Sequence, residues 1–207
     1  MSRRLSVIPI VHTEADLGRL ASRVRERLGA QAWRRRQSAL RELWGRIASW
    51  CDALEPERDR VTLYQDGLPA APEAEAIVRE LAGRGSVNHR ILSRLIDRGA
   101  TLVGPESPPL LLREYELVSR SARPGGPLGA TDPATVRELE ALLEARDAFI
   151  AERIDETLEP GSHGLLFIGA LHHVERRLPD SIQVDHPLGT PGRGASEDRA
   201  KETRHAS

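Results

Sequence analysis

At 207 residues, with a formal net charge of -1 and an isoelectric point near 6.7, the chain suits one domain with a substantial core and lacks the basic footprint of a general nucleic-acid binder. Aromatic residues make up 3% of the chain, which argues against base-stacking platforms as well. Lys201, the sole lysine, lies in a polar stretch, and Cys51 is the sole cysteine. A core Schiff base to pyridoxal phosphate, a phosphate-loop lysine and a multi-cysteine metal centre are therefore not expected, and any metal would need histidine and carboxylate ligands.

The first element is an apolar strand, 5–11, that stops at His12-Thr13-Glu14. Pro9 and the shortness of this run disqualify it as a signal segment, and no stretch is long enough to span a membrane, so the expected location is cytoplasmic. Thr13-Glu14-Ala15-Asp16 reads as a capping box opening a helix through Leu17, Leu20, Ala21, Val24 and Leu28. A second helix follows, with Leu40, Leu43, Trp44, Ile47 and Cys51 on one stripe and arginines from Arg34 to Arg46 on the other side. A second strand, 61–65, stops at Asp66-Gly67. Two helices come next, separated by Gly83-Arg84-Gly85, with Ser86 as the cap of the second.

A third strand, 100–104, runs into Pro105-Glu106, and Ser107-Pro108 then opens a helix whose apolar positions are Leu111, Leu112, Tyr115 and Val118. Residues 121–133 are too rich in glycine and proline for regular structure. Asp132-Pro133 caps a long helix with Val136, Leu139, Leu143, Ile150, Ile154 and Leu158 on one face. His163 is assigned to the loop ahead of the fourth and most apolar strand, 164–170, which stops at Leu171-His172-His173. A short final strand over 181–184 completes the order. This alternation predicts an α/β fold: a mostly parallel sheet of four to five strands with helices on both faces. Residues 1–188 are read as one domain and 189–207 as a disordered polar tail. No Gly-x-Gly-x-x-Gly follows any strand, so an NAD site lacks its usual support.

Ligands of open parallel sheets bind beyond the carboxyl ends of the strands. On that rule His12, Glu14, Asp66, Glu106, His172 and His173 converge on one edge. His12, Glu14, Glu106 and His172 are the candidate catalytic groups, and His12 and His172 the candidate metal ligands. Neighbouring positions point apart, so His172 and His173 are not expected to serve one site together. Asp66-Gly67 also suits an ordinary turn. Arg146, Phe149 and Arg153 share a helix face, where the two arginines could bind an anion or pair with carboxylates from the strand ends.

The segment Arg146-Asp147-Ala148-Phe149-Ile150-Ala151-Glu152-Arg153-Ile154, followed by Gly164 to His172, resembles the C-terminal half of the TraB/Tiki and ChaN/erythromycin-esterase-like proteins. In those proteins an Arg-led helix precedes a strand ending in Gly-x-x-His, here Gly169-Ala170-Leu171-His172, and a first histidine stands where His12 does. The chain departs from that pattern before His12, where Pro9 stands and no glycine precedes the histidine. The resemblance implies hydrolysis or haem binding. The residues and the resemblance together set the expectation: a hydrolase acting on a small molecule, with a His12 or His172 base, carboxylate help from Glu14 or Glu106, and a divalent metal as candidate cofactor. The alternative is a non-catalytic small-ligand-binding or protein-interaction domain using the same crevice, and a third reading is a structural subunit whose arginine-rich helix 34–46 faces a partner.

Residues 190–207 include no large apolar side chain to offset the entropy of ordering them. Truncation after Leu188 is expected to move the melting temperature by no more than about 1–2 °C, as scanning calorimetry would measure.

Overall fold

In the computed structural model, residues 2–11, 20–121 and 133–189 are described. His12, Glu14, the proposed capping box, the glycine- and proline-rich 122–132 and the proposed tail 190–207 lie outside them. The elements are β1 (Arg3–Ile10), α1 (Leu20–Asp52), β2 (Val61–Gln65), α2 (Ala74–Gly83), α3 (Val87–Asp97), β3 (Thr101–Val103), α4 (Pro108–Ser121), α5 (Pro133–Thr157), β4 (His163–Gly169), a 3-10 turn (Val174–Arg177) and β5 (Ile182–Asp185). The five strands form one sheet in the order β3-β2-β4-β1-β5, with every pairing parallel. The α/β reading therefore holds.

Strand periodicity divides the core. Side chains of successive residues point to opposite faces, and β1 sends Ile8 and Ile10 to one side and Leu5 and Val7 to the other. The first face carries Leu63, Leu165 and Phe167 against Trp44, Ile47 and Cys51 of α1, Val78 of α2 and Ile91, Leu92 and Leu95 of α3. The second carries Tyr64, Leu166 and Ile168 against Ile150, Ala151 and Ile154 of α5, with Leu158 and Val174. Gly164 allows β4 to sit beside β1: a methyl group there would lie 2.7 Å from Leu5 Cδ1.

This arrangement defines a switch point. After β2 the chain leaves through α2 and α3 on the first face; after β4 it leaves through the 3-10 turn on the second. The two strands are neighbours, so a crevice opens between their carboxyl ends, the position where such sheets take ligands.

The two helices expected between β1 and β2 both fall within α1, separated by a non-helical kink at Gly29 (φ 75, ψ 160), a conformation that suits glycine; Leu17 lies outside the described residues. Two local expectations change. On α4, Leu112, Tyr115 and Val118 are exposed and Leu117 is buried. That helix is rotated so that Glu114 and Leu117, one turn apart, face inward together, which turns the apolar trio outward.

His163 is the first residue of β4 rather than part of a loop, and it is buried. Its ring nitrogens meet Arg4 Nη2 at 2.7 Å and Ser6 Oγ at 2.8 Å, with Trp50 edge-on. Burial, aided by the neighbouring Arg4 charge, pushes its pKa down from 6.5 to about 4. Between these values the unfolded chain binds the extra proton. The contribution to stability is therefore complete above pH 6.5 and is lost as pH falls toward 4. Urea unfolding at pH 7 and pH 5 should show a loss on the order of 1–2 kcal/mol from this group, and His163→Ala should remove that pH-dependent part while lowering stability at pH 7.

Candidate functional site

The carboxylate side chains at the strand ends meet around one guanidinium. Arg146 lies on the inward stripe of α5, between Leu142 and Ile150, and is buried. Its Nε donates to Glu106 Oε2 at 3.0 Å and its Nη2 to Glu106 Oε1 at 2.5 Å. Nη2 also donates to Asp66 Oδ1 at 2.7 Å, and Nη1 to Glu114 Oε1 at 2.5 Å. Arginine suits this position because its planar fork can address several carboxylates at once.

Glu106 is fully buried, and its segment is fixed by backbone as well as charge. Ala70 donates to the Glu106 carbonyl at 2.7 Å, Glu106 N donates to the Leu68 carbonyl at 3.2 Å, and Gly67 N donates to Glu106 Oε1 at 3.1 Å. Gly104 makes this approach possible, since a Cβ there would lie 1.8 Å from the Pro69 carbonyl oxygen. Burial pushes the Glu106 carboxyl above its ordinary range, against the pull of Arg146. Asp66 is also desolvated, but bonding to His172 and the charges of His172 and Arg146 outweigh this and hold its carboxyl well below the usual range. Its Oδ2 accepts from Gly169 N at 3.1 Å, which ties the end of β2 to the end of β4.

His172 stands just past β4, its side chain 5% exposed. Nδ1 lies 2.5 Å from Asp147 Oδ1, and Asp147 Oδ2 accepts from His173 N at 2.6 Å. Nε2 is 3.5 Å from Asp66 Oδ2, at the limit of hydrogen-bond reach. Burial lowers the imidazole pKa, but Asp147 and Asp66 more than compensate and raise it to about 9. The ring is therefore protonated at neutral pH.

A cleft of about 800 Å³ opens over this cluster, a size typical of small-molecule sites. Asp66, Glu114, Arg146 and His172 line it together with Arg36 and Trp44 of α1 and Asn88 of α3. Of the groups expected at this edge, Asp66, Glu106 and His172 are brought together. His173 contributes its backbone and turns its side chain outward. His12 and Glu14 are outside the described residues. Arg153 does not join Arg146: it lies two turns, about 10 Å, further along α5, and its guanidinium meets Glu156 at 3.4 Å. Arg146 in turn is enclosed by carboxylates, so this pair does not form an anion site.

Asp66, Glu106 and His172 each offer a ligand atom, all within 4.8 Å of one another. They do not fit a divalent cation as arranged, because the Arg146 guanidinium already supplies the positive charge and engages both Glu106 oxygens and Asp66 Oδ1. Asp147 and Glu114 escaped the sequence reading. Asp147 had a signal: it falls on the same face as Leu143, Ile150 and Ile154, where an apolar residue would be expected. Compared with known proteins, the chain matches no family model, no curated protein and no solved structure.

Removing Arg146 would leave Asp66 and Glu106 buried without their counter-charge. Arg146→Ala is expected to destabilise the protein by about 3–5 kcal/mol in urea unfolding at pH 7. Part of that loss should return as pH falls and the carboxylates take up protons.

Proposed function

We propose that the cleft is the active site of a hydrolase for a small substrate and that His172 is its general acid. One observation carries this reading: the His172 imidazole, which lines the cleft, is anchored through Nδ1 by the buried Asp147 at 2.5 Å, while its Nε2 edge meets Asp66 Oδ2 only at 3.5 Å, a contact that a ligand in the cleft can replace. A histidine fixed through one nitrogen and available through the other is the arrangement that proton transfer requires. Because the ring carries its proton at neutral pH, its role is to donate from Nε2 to the leaving group, not to accept from water as the sequence suggested.

Glu114 supports the complementary step. Its side chain is 38% exposed at the cleft, with one oxygen held by Arg146 Nη1. In this reading its free carboxylate oxygen takes the proton of an attacking water. Arg146 and Glu106 are the frame that orients Asp66 and Glu114. No metal enters this scheme. Of the two activities that the Gly169-Ala170-Leu171-His172 resemblance implies, hydrolysis and haem binding, this reading takes the first.

Incubation of the protein with a metabolite extract, followed by mass spectrometry, should reveal a consumed substrate whose products differ from it by the elements of water. His172→Gln should slow that turnover by about 10²–10⁴-fold with the melting temperature largely retained. The wild-type rate should fall as pH rises through about 9, where the imidazole loses its proton. No turnover in the extract would leave the ligand-binding reading in its place, and full turnover by His172→Gln would remove His172 as the general acid.

A further inference from the structure

Two residues that line the same cleft, away from the ion cluster, hold polar atoms without partners. Trp44 is 4% exposed and its Nε1 donates to nothing among the described residues. Asn88 is 5% exposed and its Oδ1 accepts from nothing among them. Buried polar groups are nearly always bonded, so two orphans on one cleft wall point to a ligand. The orientation of the Asn88 amide follows from its neighbours. Gln65 Nε2 donates to the Asp66 carbonyl at 2.8 Å, so Gln65 turns its Oε1 to Asn88 and receives the Asn88 Nδ2 donor at 2.7 Å. The Asn88 oxygen is thereby left as an acceptor.

The electrostatics of this wall are positive. Arg36 lies two turns before Trp44 on the same stripe of α1, about 12 Å along the axis. It forms no ion pair among the described residues, and its buried Nε has no partner among them either. The first turn of α3, which contains Asn88, adds the positive end of a helix dipole.

We propose that this wall binds the charged group of the substrate, a small organic anion, carboxylate or phosphate, that carries a hydroxyl or amino group beside its charge. Arg36 and Trp44 Nε1 take the anion, and Asn88 Oδ1 accepts from the neighbouring donor, a group that a bare anion lacks. That the bound molecule is a substrate rests on the hydrolase reading; that it binds here does not.

The test uses the full chain and four probes: glycerol 3-phosphate and glycerate as hydroxylated anions, methyl phosphate as an anion without a hydroxyl, and glycerol as a hydroxyl without charge. Glycerol 3-phosphate or glycerate should raise the melting temperature and alter tryptophan fluorescence. The better of them should bind about tenfold more tightly than methyl phosphate, with glycerol inert. Trp44→Phe, which keeps an aromatic ring in the core, and Arg36→Gln should each weaken that binding about tenfold. Asn88→Asp, which turns an acceptor into a negative charge, should weaken it further. The proposal is overturned if no anion binds, if all four probes behave alike, if methyl phosphate matches the hydroxylated anions, or if Trp44→Phe and Arg36→Gln bind as the wild type does. Binding is also measured in His172→Gln. Probe binding retained there while no substrate is ever hydrolysed by the wild type would leave this site standing and remove the hydrolase reading. Hydrolysis without probe binding would do the reverse.

Discussion

Arg146 brings together groups that the chain delivers from three places: Asp66 after β2, Glu106 after β3 and Glu114 on α4. A guanidinium with almost no access to water is costly to desolvate, and so are the carboxylates around it. The arrangement holds because each charge is met by hydrogen bonds. Both Glu106 oxygens are taken, one of them also by Gly67 N, and both Asp66 oxygens are engaged. The network therefore fixes more than charge. It sets the distance between the β2 and β3 ends, the rotation of α4, and the docking of the upper half of α5 on the sheet.

The two ends of the cleft divide the chemistry. Around Arg146 the polar groups satisfy one another, so that region is rigid and offers a ligand little beyond the Nε2 edge of His172 and one side of Glu114. Along α1 and the start of α3 the reverse is true: among the described residues, donors and an acceptor stay unmet. A part whose polar groups are mutually satisfied beside a part with polar groups still open is the division that the proposed hydrolase would use, because precise placement and adaptable binding make opposite demands on packing.

The fold was legible because its strands are short apolar runs between helices of clear period, and β4 in particular has no polar position between Leu165 and Ile168. Glu106 and His172 could be picked out because each directly follows a strand. Arg146 was legible as an arginine beside an apolar stripe that could pair with carboxylates from the strand ends, as it does, but not which carboxylates. Its partners Asp66 and Glu106 lie 80 and 40 residues away, and no local pattern records such distances. Trp44 read as core, which it is, while the lack of a partner for its Nε1 among the described residues is a tertiary fact that no local pattern records. His163 was misplaced for a related reason: a strand that opens on a polar residue looks as if it starts one residue later. The outward apolar trio of α4 reflects a tertiary preference, the pull of Arg146 on Glu114, over the helix's own amphipathic pattern.

β4 carries a buried histidine at one end and another just past the other, and the two are held in opposite charge states. His163 is kept neutral down to about pH 4, and His172 is kept protonated up to about pH 9. Histidine is ordinarily the side chain that changes charge near neutrality. Here these two are moved out of that range in opposite directions. Over the neutral range neither changes its resting charge, so in the folded protein β4 keeps a neutral imidazole at its start and a cationic one just past its end.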